Sequence, residues 1–176
     1  MRILAIDPGN TKSAYVLMDG YKPLEFGILE NNELRQKMST MSVTESLLAY
    51  GTPESEVDKV HVHTAIEMVA SYGMPVGREV FDTCVWVGRF WENSPRRDVT
   101  LIYRMEEKMT LCHDSKAKDS NIRQALIDRF AQHDKKSGKG TKANPDWFYG
   151  FSADVWSAYA VGVTFLDKQQ EQILQR

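Results

Sequence analysis

The sequence predicts an α/β fold: a central mixed five-stranded sheet that opens on an antiparallel three-stranded meander and is flanked by helices. Three observations predict it. Short apolar runs at 2–7, 14–18 and 24–29 are divided by Pro8-Gly9-Asn10-Thr11-Lys12-Ser13 and by Asp19-Gly20, both rich in turn formers. Two more β-branched runs, Val60 to Ile66 and Val99 to Tyr103, alternate with helical periodicity further along. An apolar segment from Ser152 to Leu166 closes the pattern as a helix, with Ser152 at its N-cap.

The remaining elements follow in order. Residues 31–50 are polar with scattered Met and Leu and read as partly helical. From Arg78 to Trp91, Phe81, Cys84, Val85 and Gly88 keep helical spacing, while Val80, Val87 and Trp91 form a second apolar side. A helix apolar on two sides needs two partners, so the sheet is expected against one and a second subunit against part of the other. Asn121 to Phe130 reads as an amphipathic helix that starts near Asp119 or Ser120. From about 132 to 150 the composition turns to Lys, Gly, Ser, Asn and Pro, which predicts a flexible basic loop.

The bulk numbers bound the function classes. A chain of 176 residues is sized for a single domain, 1–176, with a core of its own. No apolar run reaches the length of a membrane span, and Asp7 interrupts the N-terminal apolar stretch that an export signal would need, so a cytoplasmic protein is expected. Cys84 and Cys112 are far apart and in no ligand-like spacing, which argues against a disulfide framework or a cysteine zinc site. A net charge of −2 excludes indiscriminate coating of nucleic acid, yet phosphate binding depends on where charge sits.

Three acids stand out. A carboxylate inside an apolar strand is costly unless something offsets its desolvation, and Asp7, after Leu4-Ala5-Ile6, is such a group. Glu67 ends a strand between Ile66 and Met68 and has the same character. Asp154 lies near the start of the last helix, with Ser157 on the same face by i,i+3 spacing. Each acid alone has a plain structural reading: Asp7 as a turn cap, Asp154 as a first-turn acid favoured by the helix dipole. A cation shared by all three is the reading that joins them.

These residues carry a resemblance. Ile6-Asp7-Pro8-Gly9 looks like the first-strand signature of the RuvC-type Holliday junction resolvases, which have a ribonuclease-H-like fold. Ala65-Ile66-Glu67 resembles their second acidic strand, and Asp154-Val155-Trp156-Ser157-Ala158-Tyr159-Ala160 their C-terminal acidic helix. The stretch from Lys118 to Leu126, followed by the late Asp-x-Trp-Ser helix, is most similar to the bacteriophage and prophage branch. Lys108, Lys116, Lys118 and Arg123 fall where that family meets the DNA backbone. The match departs in two places. Ser157 stands where the family has a second acid or its partner, and Ala70 stands where it has an aromatic wedge, leaving Tyr72 as the nearest substitute.

The resemblance implies cleavage of four-way or otherwise branched DNA by a homodimer, in a bacterial cell or phage-infected host. It implies two Mg²⁺ ions, with Mn²⁺ as substitute, held by Asp7, Glu67 and Asp154, with Ser157 or water completing the shells. Oxygen donors suit such hard ions. The basic residues from Lys108 through Lys116, Lys118, Arg123, Arg129 and Lys135 to Lys142 offer a phosphate-binding surface, or a solvated face. His61 and His63 share a strand face, but two-residue spacing without a third ligand reads as incidental. Glu106, Glu107 and Asp128 read as surface charges, the four tryptophans as core or interface residues, and Asp146 as a weak candidate ligand. Three rival functions remain: a non-catalytic junction-binding module, a relative that processes RNA precursors or general branched DNA, and an actin-like sugar or pantothenate kinase. The kinase is disfavoured because that fold needs two copies and a second phosphate loop.

Overall fold

The computed structural model describes residues 1–50, 61–71, 73 and 75–175. Strands β1 (Arg2–Asp7), β2 (Lys12–Asp19) and β3 (Lys22–Glu30) come first, then helix α1 (Asn31–Ala49), strand β4 (Val62–Met68) and helix α2 (Arg78–Asn93). A turn of 3-10 helix, Pro95–Arg97, leads into β5 (Val99–Tyr103), followed by α3 (Arg104–Cys112), α4 (Asp119–Phe130) and α5 (Ala153–Leu174). The sheet order is β3-β2-β1-β4-β5. β1, β2 and β3 are antiparallel neighbours, whereas β4 and β5 run parallel to β1 and to each other. The mixed sheet and its opening meander are as the turn signals predict.

Strand alternation divides the core in two. Leu4, Ile6, Tyr15 and Ile66 face Leu34 and Met38 of α1 and Val87 and Phe90 of α2. Ile3, Ala5, Val16, Met18 and Ala65 face the other way, onto α5, which is backed by α4 residues Ile122, Leu126 and Ile127. Packed between sheet and helices, α5 is buried nearly all round from Val155 to Leu166. Gly162 sets its approach: a Cβ there would lie 2.4 Å from the Met18 Sδ and 3.0 Å from the Ala5 Cβ. The first hairpin has a similar constraint, since a Cβ on Gly9 would meet the Lys12 carbonyl oxygen at 2.3 Å.

The structure corrects several expectations. Residues 104–112 form α3, a helix the sequence pattern does not announce because its only fully buried side chain is a glutamate, Glu107. Its start is set by Glu106, whose carboxylate accepts the Tyr103 N–H at 2.7 Å. Glu106 also pairs with Lys168 of α5, so it ties two helices together rather than facing only solvent. Ser152 occupies the N-cap of α5, but its hydroxyl makes no cap bond. α5 itself runs to Leu174, beyond the apolar stretch. The cysteines are free and half-buried.

Residues 132–150, expected as a flexible basic loop, are braced by two carboxylates. Buried Asp146 accepts the backbone N–H groups of Gln132, His133, Asp134 and Trp147 at 2.6–2.9 Å. Asp134 accepts those of Lys136, Ser137 and Gly140 at 3.0–3.1 Å. Lys135 turns its ammonium onto the Ala131 carbonyl, 2.6 Å, at the end of α4. Among the described residues no helix is long and apolar enough to cross a membrane.

Replacing Gly162 by Val forces atoms into the Met18 and Ala5 contacts. The expected loss is about 1–3 kcal/mol of stability, the usual range for overpacking a filled core. It should appear in denaturant unfolding as a lower midpoint with an unchanged slope.

Candidate functional site

The geometry of the site follows from strand register. β1 and β4 pair in parallel with Ile6 opposite Ile66, so the next residues, Asp7 and Glu67, emerge side by side at the same edge of the sheet. Because Ile6 and Ile66 point toward α1 and α2, alternation turns Asp7 and Glu67 to the opposite face, the one α5 covers. The first turn of α5 carries Asp154, and Asp7 and Asp154 line one cleft of about 540 Å³ together with Gly9, Lys12 and Ala14. Asp154 and Ser157 also line an adjoining hollow with Arg104, Asp119 and Arg123. Of the four residues predicted to bind metal, the structure sets Asp7 against Glu67 with Asp154 across the same cleft, and places Ser157 beside Asp154 in the adjoining hollow.

The hairpin that presents Asp7 is fixed from below. The Ser13 hydroxyl receives the Gly9 N–H at 3.2 Å and donates to the Asn31 side-chain oxygen at 2.6 Å, and the Asn31 amide donates to the Gly9 carbonyl at 2.9 Å. Ser13 and Asn31 are both buried, so the polar knot is shielded from water and couples the start of α1 to the turn after Asp7.

β5 contributes what the sequence reading missed. It runs parallel to β4 and ends at the same edge, where the first turn of α3 places Arg104 and Glu107. Glu107 is fully buried and not a surface charge: one oxygen pairs with the Arg104 guanidinium at 2.6 Å and the other, Oε1, has no hydrogen-bond partner. Arg104 pairs in addition with Asp119. The available signal was positional: a basic residue and an acid three apart, immediately after the last parallel strand.

The acids disturb one another. Asp7 and Glu67 are in hydrogen-bonding contact, and burial together with the Glu67 charge and, more weakly, Asp154 drives the Asp7 carboxyl far above the usual carboxylate range, Arg104 opposing. Glu67 is raised by burial against the pull of Arg104 and the Asp7 contact. Glu107 is raised by burial and then by Glu67, with Arg104 again opposing. Two bare carboxylates about 4 Å apart repel by about 4 kcal/mol at an effective dielectric near 20. That equals roughly three pKa units, so one side chain holds its proton until more positive charge arrives.

The donor set fits a hard divalent cation. The cleft offers carboxylates and a hydroxyl, its lining includes no His or Cys among the described residues, and the orphaned Glu107 oxygen is a buried acceptor without a donor. The carboxylates do not collapse into one tight shell. Among the described residues, the His, Cys, Asp or Glu group whose ligand atoms all lie within 4.8 Å of one another is His61, His63 and Asp98, elsewhere in the fold.

Other predicted residues sort by what already engages them. Lys108 is half-buried on α3; Lys116 and Lys118 are exposed in the connection to α4; Arg123 lies over the Trp156 ring at 5.3 Å and reaches the hollow beside Asp154. Arg129 is committed to a two-pronged pair with Asp167, 2.6 and 2.9 Å, and Lys135 to the end of α4. Asp146 lines neither cavity beside the acids and is engaged elsewhere: burial opposes its charge, but its four backbone N–H donors hold the carboxyl below the usual range. Tyr72 lies outside the described residues.

No family model matches this sequence, and no curated protein does. Solved structures do match. Thermus thermophilus RuvC in complex with a Holliday junction substrate aligns over 98% of this chain and 96% of that one, with a TM-score of 0.60 and 12% identity. Another Thermus thermophilus RuvC structure aligns over 98% and 97%, with a TM-score of 0.56 and 15% identity. The chain has the ribonuclease-H-like fold of RuvC. At such identities the likeness is one of backbone, and the chemistry must be argued from the side chains in the cleft.

Stripped of divalent ions, the protein should lose stability as pH rises from about 4, near the ordinary Asp value, toward and past neutrality. Asp7, Glu67 and Glu107 hold protons more tightly folded than unfolded, so their contribution is full in acid and vanishes as pH climbs through the raised values. Asp134 and Asp146, whose carboxyls are lowered, act in the opposite sense in more acid solution, and His63, lowered by burial, does so as pH rises toward the ordinary imidazole value, so the loss should be clearest above neutrality. Melting curves in EDTA across this range test the point, and added Mg²⁺ should restore the loss at neutral pH. A melting temperature that rises steadily with pH in EDTA would contradict the crowding of these acids.

Proposed function

We propose that this chain is a divalent-metal-dependent endodeoxyribonuclease that cuts four-way or otherwise branched DNA. The observation that carries this reading is the contact of Asp7 with Glu67 at adjacent parallel strand ends, in a cleft that Asp154 shares. Asp7, Glu67 and Asp154 would hold Mg²⁺ or Mn²⁺, with Ser157 or water beside Asp154 and the free oxygen of Glu107 as a further acceptor. When bound in such a site, the ions supply acidification of water and neutralisation of charge on the leaving 3′-oxygen.

The chain's own residues do the rest. Asp7, between Glu67 and Asp154, carries the proton that has to leave before the site can take a cation. Arg104, pinned between Glu107 and Asp119, keeps one fixed positive charge at the rim, where it offsets the acids and faces an incoming phosphate. Lys12 stands at the other side of the cleft beside Gly9. Lys108, Lys116, Lys118 and Arg123 extend the basic surface along α3 and α4, in the position of a backbone-binding track. The RuvC-like fold and a junction-bound neighbour favour branched DNA over duplex.

A homodimer suits a substrate with two opposed strands to cut. α2 leaves Phe81 61% exposed and Val85 53%, an apolar strip on the side turned away from Val87 and Phe90, while Trp91, 42% exposed, flanks the Val87 side. We propose this strip as the contact between two subunits, each with its cleft open to solvent.

Incubation of the protein with a synthetic four-way junction tests the activity. Cleavage is expected with Mg²⁺ and none with EDTA, and Asp7→Asn should lower it by at least a thousandfold while junction binding persists or tightens. Binding without nicking by the unaltered chain would assign it instead as a junction-binding module, and preferential cleavage of flaps or duplex would redirect the substrate. Phe81→Asp should shift the protein from dimer to monomer in sedimentation, and a monomeric unaltered chain with and without DNA would remove the dimer.

A further inference from the structure

The opposite edge of the sheet holds a second constellation. His61 precedes β4, His63 is its second residue, and Asp98 immediately precedes β5; parallel pairing of the two strands sets them side by side. The His61 Nε2 lies 2.7 Å and the His63 Nδ1 2.9 Å from the same Asp98 oxygen, Oδ2. The remaining ring nitrogen of His63, Nε2, is 2.9 Å from the Thr100 hydroxyl, and the ring stacks on Phe165 at 4.2 Å between centroids. His63 is therefore buried, oriented on one face by an aromatic ring and fixed at its far nitrogen by a hydroxyl. Asp98 is half exposed and opens the group to solvent.

We propose that His61, His63 and Asp98 form a transition-metal site that takes Zn²⁺, or Co²⁺ in its place, and staples the lead-in of β4 to that of β5. Two neutral imidazoles and one carboxylate are a borderline-soft donor set that prefers Zn²⁺ to Mg²⁺. A tetrahedral ion with bonds of about 2.0–2.1 Å spaces its ligands about 3.3 Å apart. Each His–Asp pair has to open by only about half an ångström to admit it, with water in the fourth position. The ion takes the place of the ring protons that now face Oδ2, and these move to the other ring nitrogens, so that each imidazole binds as its neutral tautomer and His63 Nε2–H donates to the Thr100 hydroxyl. Thr100 acts as the outer partner that a metal-bound histidine needs to hold its tautomer and ring plane. Burial, which outweighs the attraction of Asp98, depresses the His63 pKa and leaves the ring neutral and available as a ligand. The site lies at the far end of β4 from Glu67, six residues and about 20 Å away at a strand's rise per residue, and it stands whether or not the acidic cleft is a nuclease.

The test is titration of the EDTA-treated full-length protein with Zn²⁺ in a large excess of Mg²⁺, followed by calorimetry. One equivalent is expected to bind to the unaltered chain and to Asp7→Asn alike. Binding should weaken at least tenfold in His61→Gln and in Asp98→Asn. Co²⁺ should give the strong visible absorption of a tetrahedral site in the first two proteins and not in the last two. Absence of stoichiometric uptake, uptake unchanged in both ligand variants, or loss of uptake in Asp7→Asn would each overturn the assignment, the last by placing the ion in the acidic cleft. Should the ligand variants fail to fold by circular dichroism, the Co²⁺ spectrum decides alone. Tetrahedral absorption in both the unaltered chain and Asp7→Asn supports the site, and its absence from the unaltered chain sinks it.

Discussion

The parallel pairing of β1 with β4, in the register that sets Ile6 against Ile66, is the constraint on which the site rests. Slipping that register by one residue would turn Glu67 to the face of α1 and α2 and leave Asp7 alone beneath α5. The register is held by burial on both faces of the sheet, since Ile3, Leu4, Ala5, Ile6, Ala65 and Ile66 are all completely excluded from water. The same apolar strands that make the fold stable therefore make two carboxylates converge where they would not choose to be.

That convergence sets stability against chemistry. Burial and mutual repulsion drive protons onto Asp7, Glu67 and Glu107, and Arg104 relieves only part of the charge. The surrounding structure is correspondingly rigid. The Ser13–Asn31 knot holds the hairpin after Asp7, Gly162 lets α5 close onto Met18 and Ala5, and the N-terminus of α5 brings Asp154 to the cleft. An unoffset cluster of acids persists in a fold only when the elements that carry it are over-determined by packing elsewhere.

The two ends of the parallel strands differ in donor chemistry. At the C-terminal ends of β1, β4 and β5 the donors are oxygens; at the N-terminal side of β4 and β5 they are two imidazoles and a carboxylate. All-oxygen donors suit hard cations, whereas imidazoles with a carboxylate suit borderline ones. The core residues between the two ends, Ala65 and Ile66 among them, are apolar and fully buried, so one small sheet presents two separate charged clusters.

Much was legible in the chain itself. Turn chemistry at Pro8-Gly9 and Asp19-Gly20 and β-branched runs gave the strands, and the out-of-place acids Asp7, Glu67 and Asp154 marked the cleft, because local propensity and the cost of burying charge are properties of short segments. Glu107 and Asp98 were invisible in that sense: each looks like an ordinary charge in its own neighbourhood. Only the tertiary structure buries Glu107 between Arg104 and the acids, and only the pairing of β4 with β5 brings Asp98 onto two histidines 35 and 37 residues earlier in the chain. The physical reason is that the energy of a charge depends on what surrounds it in space, whereas a sequence records what surrounds it along the backbone.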